Sequence, residues 1–86
     1  MKIQTFLLDI KNKLQEGRKD NEFSYYVEDT LATFLDMFIV ENESIALEMN
    51  DTLPDICEQM EPGMESDKFH MELSNEINRL LALLEE

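Results

Sequence analysis

The residues of this 86-residue chain with the clearest capacity for chemistry are its carboxylates. No lysine or arginine stands between Lys19 and Lys68, and that interval holds 14 of the 20 Asp and Glu residues. The rest of the chain does not balance this charge, because the formal net charge is −13. A continuous field of one sign causes self-repulsion in a compact protein, so it serves either solubility or the attraction of a basic partner.

Catalysis by the usual routes needs a histidine or lysine beside a positioned nucleophile, and His70 is the one histidine of the sequence. Asp67 precedes His70 by three residues and resembles half of a carboxylate-bridged metal site, but the second histidine motif of such sites is absent. The sequence also lacks a calcium-loop motif and a glycine-rich phosphate loop. We therefore predict that the protein is not an enzyme and has no catalytic, cofactor-binding or metal-binding residues.

Composition limits the partners and the compartment as well. Five of the seven basic residues lie in the first 19 positions, which disfavours direct binding to nucleic acid. No apolar stretch approaches the roughly 20 residues of a membrane span. Asp9 interrupts the apolar run from Ile3 to Ile10, which argues against a signal peptide, and the single cysteine, Cys57, fits a reducing compartment. These features predict a cytoplasmic protein.

The spacing of apolar residues is helical throughout, and only two glycines and two prolines interrupt it. The first predicted helix ends at Gly17, where a residue of positive φ is expected, and the second and longest begins near Asp20 or Asn21. Their apolar stripes consist of Ile3, Phe6, Leu7, Ile10 and Leu14 in the first helix, and of Phe23, Tyr26, Val27, Thr30, Leu31, Phe34, Leu35, Phe38 and Ile39 in the second.

A third helix is predicted to begin after Asn42, and Pro54 either kinks it or divides it into two. Glu61-Pro62-Gly63 predicts a break, and Ser66 is expected to cap the last helix. The apolar stripes here are Ile45, Met49, Leu53, Ile56 and Met60, followed by Phe69, Leu73, Ile77, Leu80 and Leu84.

These elements predict an all-α fold in which residues 1–86 form a single helical domain. We expect a compact bundle of four helices, or five if Pro54 divides the third, with antiparallel neighbours. The second and last helices should provide most of the core. Cys57 is interpreted as a small core residue, and the methionines as core residues that fill gaps, except Met64 in a polar loop.

Three features of the acidic region favour a binding surface over a merely solvated one. Acidic residues lie on compatible faces of two successive helices, and the interspersed lysines of ordinary solvated helices are missing. Tyr25 and Tyr26 lie beside them, and tyrosine flanked by carboxylates is an effective anchor for a basic partner. Tyr26 also lies on the apolar stripe, so the alternative that it belongs to the core stays open.

The segment Glu43-x-Ile45-Ala46-Leu47-Glu48-x-x-Asp51-x-Leu53, followed by Phe69 in an apolar last helix, resembles the small all-helical immunity proteins of bacterial toxin–immunity systems, in particular the Maf-type proteins. The opening, with Glu16-Gly17-Arg18 and then Phe23 in a long second helix, is similar to this class and more loosely to the immunity proteins of colicin D-like and contact-dependent inhibition toxins.

The resemblance implies a cytosolic protein that binds and blocks the C-terminal toxic domain delivered by a sibling cell, often a nuclease. A nuclease domain presents a basic cleft to its polyanionic substrate, and an acidic inhibitor can occupy that cleft. On this hypothesis the two tyrosines anchor the complex and the carboxylates stand in for phosphates. The predicted partner-binding residues are Glu22, Tyr25, Tyr26, Asp29, Asp36, Glu41, Glu43, Glu48 and Asp51.

Two alternatives remain open at the level of sequence. A phage-encoded acidic inhibitor that mimics DNA, such as an anti-restriction or anti-CRISPR protein, would use the same surface against a different basic cleft. A self-associating helical chaperone or structural protein would instead use apolar stripes that exceed what one copy can bury. We expect a monomer, and a homodimer is the alternative oligomeric state.

Overall fold

The computed structural model of the protein describes residues 1–60 and 65–86, and this part of the chain forms four α-helices and no strand. The all-α prediction is therefore confirmed, with four helices rather than five. The elements are α1 (Ile3–Gln15), α2 (Asn21–Glu41), α3 (Glu43–Glu58) and α4 (Ser66–Leu84).

Local backbone chemistry ends α1 where the sequence predicts it. Gly17 has a φ of +90°, in the left-handed region that glycine tolerates best. The N–H of Gly17 donates to the Leu14 carbonyl at 3.0 Å, and the N–H of Arg18 donates to the Lys13 carbonyl at 3.1 Å. This is the Schellman arrangement, in which two of the last carbonyls of a helix receive backbone donors.

Side-chain caps begin α2 and α3. Asp20 Oδ1 accepts from the Phe23 N–H at 2.8 Å, as predicted for the start of α2. Asn42 serves both helices, because its N–H donates to the Phe38 carbonyl at 2.8 Å and its Oδ1 accepts from the Ile45 N–H at 3.2 Å. A single residue thus joins α2 to α3 and satisfies backbone groups on each side.

Two boundary predictions need correction. Pro54 lies inside one helix, so the division of the third helix into two is wrong. The carbonyl that loses its donor is that of Asn50, whose exposure gives water access to this part of the helix. Ser66 is the first residue of α4 rather than its cap; Glu65 holds the cap position without a side-chain bond. The predicted break at Glu61-Pro62-Gly63 lies outside the described residues.

All four helices contribute about equally to the core, so the prediction that the second and last dominate it is wrong. The stripe of α2 is wider than the face its neighbours cover, and Tyr26, Phe34, Leu35 and Ile39 are only partly buried. The buried apolar residues are Ile3, Phe6, Leu7, Ile10, Leu14, Phe23, Val27, Leu31, Phe38, Ile45, Ala46, Met49, Leu53, Cys57, Met60, Phe69, Leu73, Ile77 and Leu80.

The methionines divide into two groups, which corrects the expectation that they fill the core. Met49 and Met60 are buried, whereas Met37 and Met71 are 53% and 56% exposed. Met64 lies outside the described residues. The expectation that Cys57 is a core residue is confirmed, since it is 1% exposed.

Polar contacts between helices fix their relative directions. The N–H of Ile3 at the start of α1 donates to Glu41 Oε1 at the end of α2, at 3.1 Å. His70 Nε2 near the start of α4 donates to the Leu14 carbonyl at the end of α1, at 2.7 Å. Neighbouring helices are therefore antiparallel, as predicted; α2 has its most extensive contacts with α3 and slighter ones with α1.

We predict that Leu31→Ala lowers the free energy of unfolding by about 2–5 kcal/mol, because it removes buried methyl groups and leaves a cavity. Leu31 is 1% exposed, whereas Leu47 on α3 is 51% exposed. The matched control Leu47→Ala should therefore change stability by less than about 0.5 kcal/mol. Urea denaturation followed by circular dichroism measures both variants. Equal decreases in the free energy of unfolding for Leu31→Ala and Leu47→Ala would contradict the burial of Leu31 in the core.

Candidate protein-binding surface

The outer face of α2 carries a row of three predicted site residues, Glu22, Asp29 and Asp36, all of which are exposed. Their spacing of seven residues corresponds to two helical turns, so they point to nearly the same side. At 1.5 Å per residue the row extends roughly 21 Å along the helix. Tyr25 lies within one turn of Glu22 and Asp29 and is 46% exposed.

The outer face of α3 adds a second row of carboxylates. Glu43 and Asp51 are exposed, as are Asp55 and Glu58, which the sequence analysis did not include among the partner-binding residues. Since α2 and α3 are antiparallel neighbours joined at Asn42, the two rows belong to adjacent helices of one surface. We call the exposed acids of these two helices, apart from Glu41 at the end of α2, the acidic face: Glu22, Asp29, Asp36, Glu43, Asp51, Asp55 and Glu58.

The acidic face has no internal counter-charge in the described part of the chain. None of its seven carboxylates lies within 4.0 Å of a lysine, arginine or histidine nitrogen among those residues. The ion pairs that do form use carboxylates elsewhere, namely Asp9, Asp20, Glu48, Asp67 and Glu76. A basic partner could therefore form ion pairs with these carboxylates without displacing a cation of the described part of the chain.

Glu48 differs from the other predicted site residues on α3 because it is engaged within the protein. Its Oε1 accepts from Arg79 on α4 at 2.7 Å, and Arg79 also contacts Glu76 at 2.6 Å. The hydrogen bonds to Glu76 and then to Glu48 raise the pKa of Arg79 above its usual range. Glu48 thus links α3 to α4, at the edge of the acidic face rather than within it.

Glu41 also has a structural partner. Lys2 holds the N-cap position of α1 without a side-chain hydrogen bond, and Glu41 supplies a carboxylate to the Ile3 N–H at 3.1 Å. A carboxylate at a helix N-terminus interacts favourably with the helix dipole. Glu41 therefore fixes the start of α1 against the end of α2.

Tyr26 is half-buried between α1 and α2 rather than fully in the core or fully on the surface. Its hydroxyl donates to Asp9 Oδ2, and Lys13 Nζ donates to Asp9 Oδ1 at 3.0 Å and lies 5.1 Å from the centre of the tyrosine ring. Burial raises the pKa of Asp9, but the bonds from Tyr26 and Lys13 offset this and leave the pKa below its usual value. Tyr26 thus connects two helices through a shared carboxylate.

The structure exposes apolar residues beside the acidic face that the sequence analysis missed. Met37, Val40 and Leu47 are 53%, 88% and 51% exposed. Val40 directly follows Ile39 and so falls outside the apolar stripe, and Leu47 is four residues from both Glu43 and Asp51. Helical spacing alone could have identified both, because each lies among carboxylates rather than among apolar residues.

The other chemistry-bearing residues lie elsewhere. Asp67 accepts from Lys19 at 2.6 Å, and His70 is bonded to α1, so the two are not joined in a common site. A cleft of about 110 Å³ between α1 and α4 is lined in part by Lys11 and His70. Within residues 1–60 and 65–86 no group of three or more histidine, cysteine or acidic side chains could hold a metal ion.

No helix in the described part of the chain has the length and apolar character needed to cross a membrane. Comparison of the chain with protein-family models, with curated proteins and with solved structures gives no match.

We predict that Tyr26→Phe lowers the free energy of unfolding by about 1 kcal/mol at neutral pH, because Asp9 loses a hydrogen-bond donor. The lowered pKa of Asp9 means that this stabilisation is present above the unfolded value of 3.8 and is lost as the pH falls below it. The difference between the variant and the parent should therefore shrink below about pH 4. A double-mutant cycle with Asp9→Ala, which removes the acceptor, isolates the pair when measured by urea denaturation. Zero coupling between the two substitutions at neutral pH would refute the contact.

A second prediction concerns the thiol of Cys57. Burial, followed by the charges of Glu28 and Glu58, raises its pKa to about 12. Since the thiolate is the reactive form, labelling by a disulfide reagent at mild alkaline pH should be at least about 100-fold slower in the folded protein than in urea. Spectrophotometric release of the reagent's chromophore measures the rate. Fast labelling without denaturant would show that Cys57 is accessible.

Proposed function

We propose that this protein is an immunity protein that binds a cognate toxin domain through the acidic face and neutralises it. The observation that carries the proposal is the set of seven exposed carboxylates on two adjacent helices, with no ion pair among the described residues. α2 and α3 contain no lysine or arginine at all. The partner is a basic protein, and the cytoplasm, where such a toxin acts, is the compartment.

The mechanism follows from the charge and shape of the face. A toxin that cleaves nucleic acid needs a basic cleft to hold phosphates, and rows of carboxylates can occupy such a cleft. The field first increases the rate of encounter, and ion pairs that become desolvated in the complex then slow dissociation. Tyr25 supplies a large, partly exposed ring beside Glu22 and Asp29, of the residue type that anchors many interfaces.

Capture and neutralisation together test the proposal. Tagged protein is incubated with lysate of its native host, washed at low and at high salt, and the retained proteins are identified by mass spectrometry. The retained partner's terminal domain is then expressed in a test bacterium with and without this protein. Growth arrest that the protein relieves supports the immunity function. A DNA-defence enzyme as the partner, or no relief of toxicity, would overturn it.

Charge reversal provides a quantitative prediction for the acidic face. The triple variant Glu22→Lys, Asp29→Lys and Asp36→Lys should slow association with the toxin domain at least about tenfold at low salt, because steering depends on the field near the contact. The helical fold should persist, since all three side chains are exposed. Stopped-flow fluorescence across a salt series measures the rate.

The control for this variant changes the net charge equally on other elements. Glu16, Glu65 and Glu72 lie outside α2 and α3, and none of the three forms an ion pair among the described residues. Their combined change to lysine should slow association much less, because the reversed charges lie farther from the contact. Equal effects of the two triple variants would mean that only total charge matters and that α2 is outside the interface.

A further inference from the structure

One end of the bundle collects most of the exposed large apolar side chains. We call it the corner end: the start of α1, the end of α2 and the start of α3, which meet where Ile3 N–H donates to Glu41. The structure exposes seven large apolar residues among those it describes, and four of them lie here. They are Met1, Met37, Val40 and Leu47, with exposed fractions of 40%, 53%, 88% and 51%.

Val40 and Leu47, two of the exposed apolar residues at the corner end, each have an exposed carboxylate one helical turn away. Val40 follows Asp36 by four residues, and residues at this spacing are neighbours on a helix surface. Leu47 lies four residues from both Glu43 and Asp51, which are exposed. Apolar contact area and negative charge are therefore interleaved on the same surface.

The corner end also has concave space. An open cleft of about 270 Å³ between α3 and α4 has a mixed lining of Asn42, Ser44, Ile45, Glu48, Leu83 and Glu86. A second cleft, of about 260 Å³, lies between the start of α1 and the end of α4 and is lined by Lys2, Gln4, Glu41, Leu81, Leu84 and Glu85. Side chains of a partner could enter these clefts while its backbone crosses the exposed residues, an arrangement typical of the well-packed centre of an interface.

We infer that the corner end is the docking centre for a basic segment of a protein partner in which apolar side chains stand between lysines or arginines. The apolar side chains of the partner cover Met37, Val40 and Leu47, and its cations pair with Asp36, Glu43 and Asp51. Charge complementarity selects this occupant, because Asp36, Glu43 and Asp51 have no ion pair in the described structure. Lys2 is the one basic residue among those that line the two clefts, and it stands beside Glu41 and Glu85. The identity of the partner as a toxin rests on the proposed function; the chemistry of the docking centre does not.

The inference assigns different roles to the two halves of α2. At 1.5 Å per residue, Asp29 lies roughly 17 Å and Glu22 roughly 27 Å from Val40 along the helix. Those two carboxylates lie beyond the docking centre and act on the partner through the field, so their loss changes the association rate. Loss of the apolar contacts changes the dissociation rate instead.

A nuclear magnetic resonance titration tests the inference with probes of defined chemistry. One probe is an amphipathic peptide of leucine and lysine, and the other has the same charge with serine at each leucine position. The leucine peptide should bind at least about tenfold more tightly and shift the amide signals of residues 37–47 most. Equal binding of the two peptides, or shifts centred on residues 22–29, would overturn the inference.

Matched variants give the second readout. Met37→Ala with Leu47→Ala should weaken binding of the leucine peptide at least about tenfold. Leu8→Ala with Met71→Ala changes the same residue types on α1 and α4 at similar exposure, 41% and 56%, and should alter binding less than about twofold. Similar effects of the two pairs would remove the docking centre from the corner end.

Two further outcomes distinguish this inference from self-association at the corner end and from the proposed immunity function. Signal shifts at residues 37–47 that depend on protein concentration without peptide would identify a second copy of the chain as the occupant and overturn the inference. If the captured partner of the host is not a toxin, the proposed function fails, yet the peptide titration still decides whether the corner end binds basic apolar segments. With a captured toxin, the same variants should raise the dissociation rate and leave the association rate nearly unchanged.

Discussion

Repulsion among the carboxylates of α2 and α3 destabilises the folded protein, and contacts elsewhere in the structure must offset it. These two helices carry no cation, yet their contact is the most extensive one between helices in the described part of the chain. Apolar packing must therefore hold them together against their charge, and the buried residues of α3, such as Met49 and Leu53, lie in the common core. Among the described residues, Arg79 of α4 is the one cation that forms an ion pair with an acid of α3, namely Glu48.

Several acids offset part of the cost of this repulsion through favourable interactions at helix ends. Asp20 caps α2, and Glu43 lies in the first turn of α3, where negative charge is favourable. Glu41 stands at the unfavourable C-terminal end of α2 but at the favourable N-terminal end of α1. The antiparallel arrangement thus turns one destabilising charge into a contact between helices. The other six residues of the acidic face take no part in such contacts among the described residues.

The parts of this structure that the sequence predicts are those set by local chemistry. Gly17, Asp20 and Asn42 mark helix ends because their backbone conformations or side chains act within a few residues. Local chemistry alone does not predict the effect of Pro54 on α3. Leu53 and Cys57 on either side of it are buried, and tertiary packing keeps the helix in one piece. Helical periodicity likewise predicts that Glu22, Asp29 and Asp36 share an exposed face. It cannot show that Tyr26 meets Asp9 or that Glu48 meets Arg79, because those pairs join distant parts of the chain.

A field of carboxylates and a tight complex depend on different physical interactions. If the corner end is the docking centre, the chain separates the two in space. At physiological ionic strength the field is screened beyond about 8 Å, so steering raises encounter rates more than it holds a complex together. Holding a complex requires contacts from which water is excluded, and exposed apolar side chains supply them. Along α2, the carboxylates from Glu22 to Asp36 lead to Val40, the most exposed of its apolar residues. A partner attracted anywhere along the row would be retained only where its own apolar residues reach the corner end.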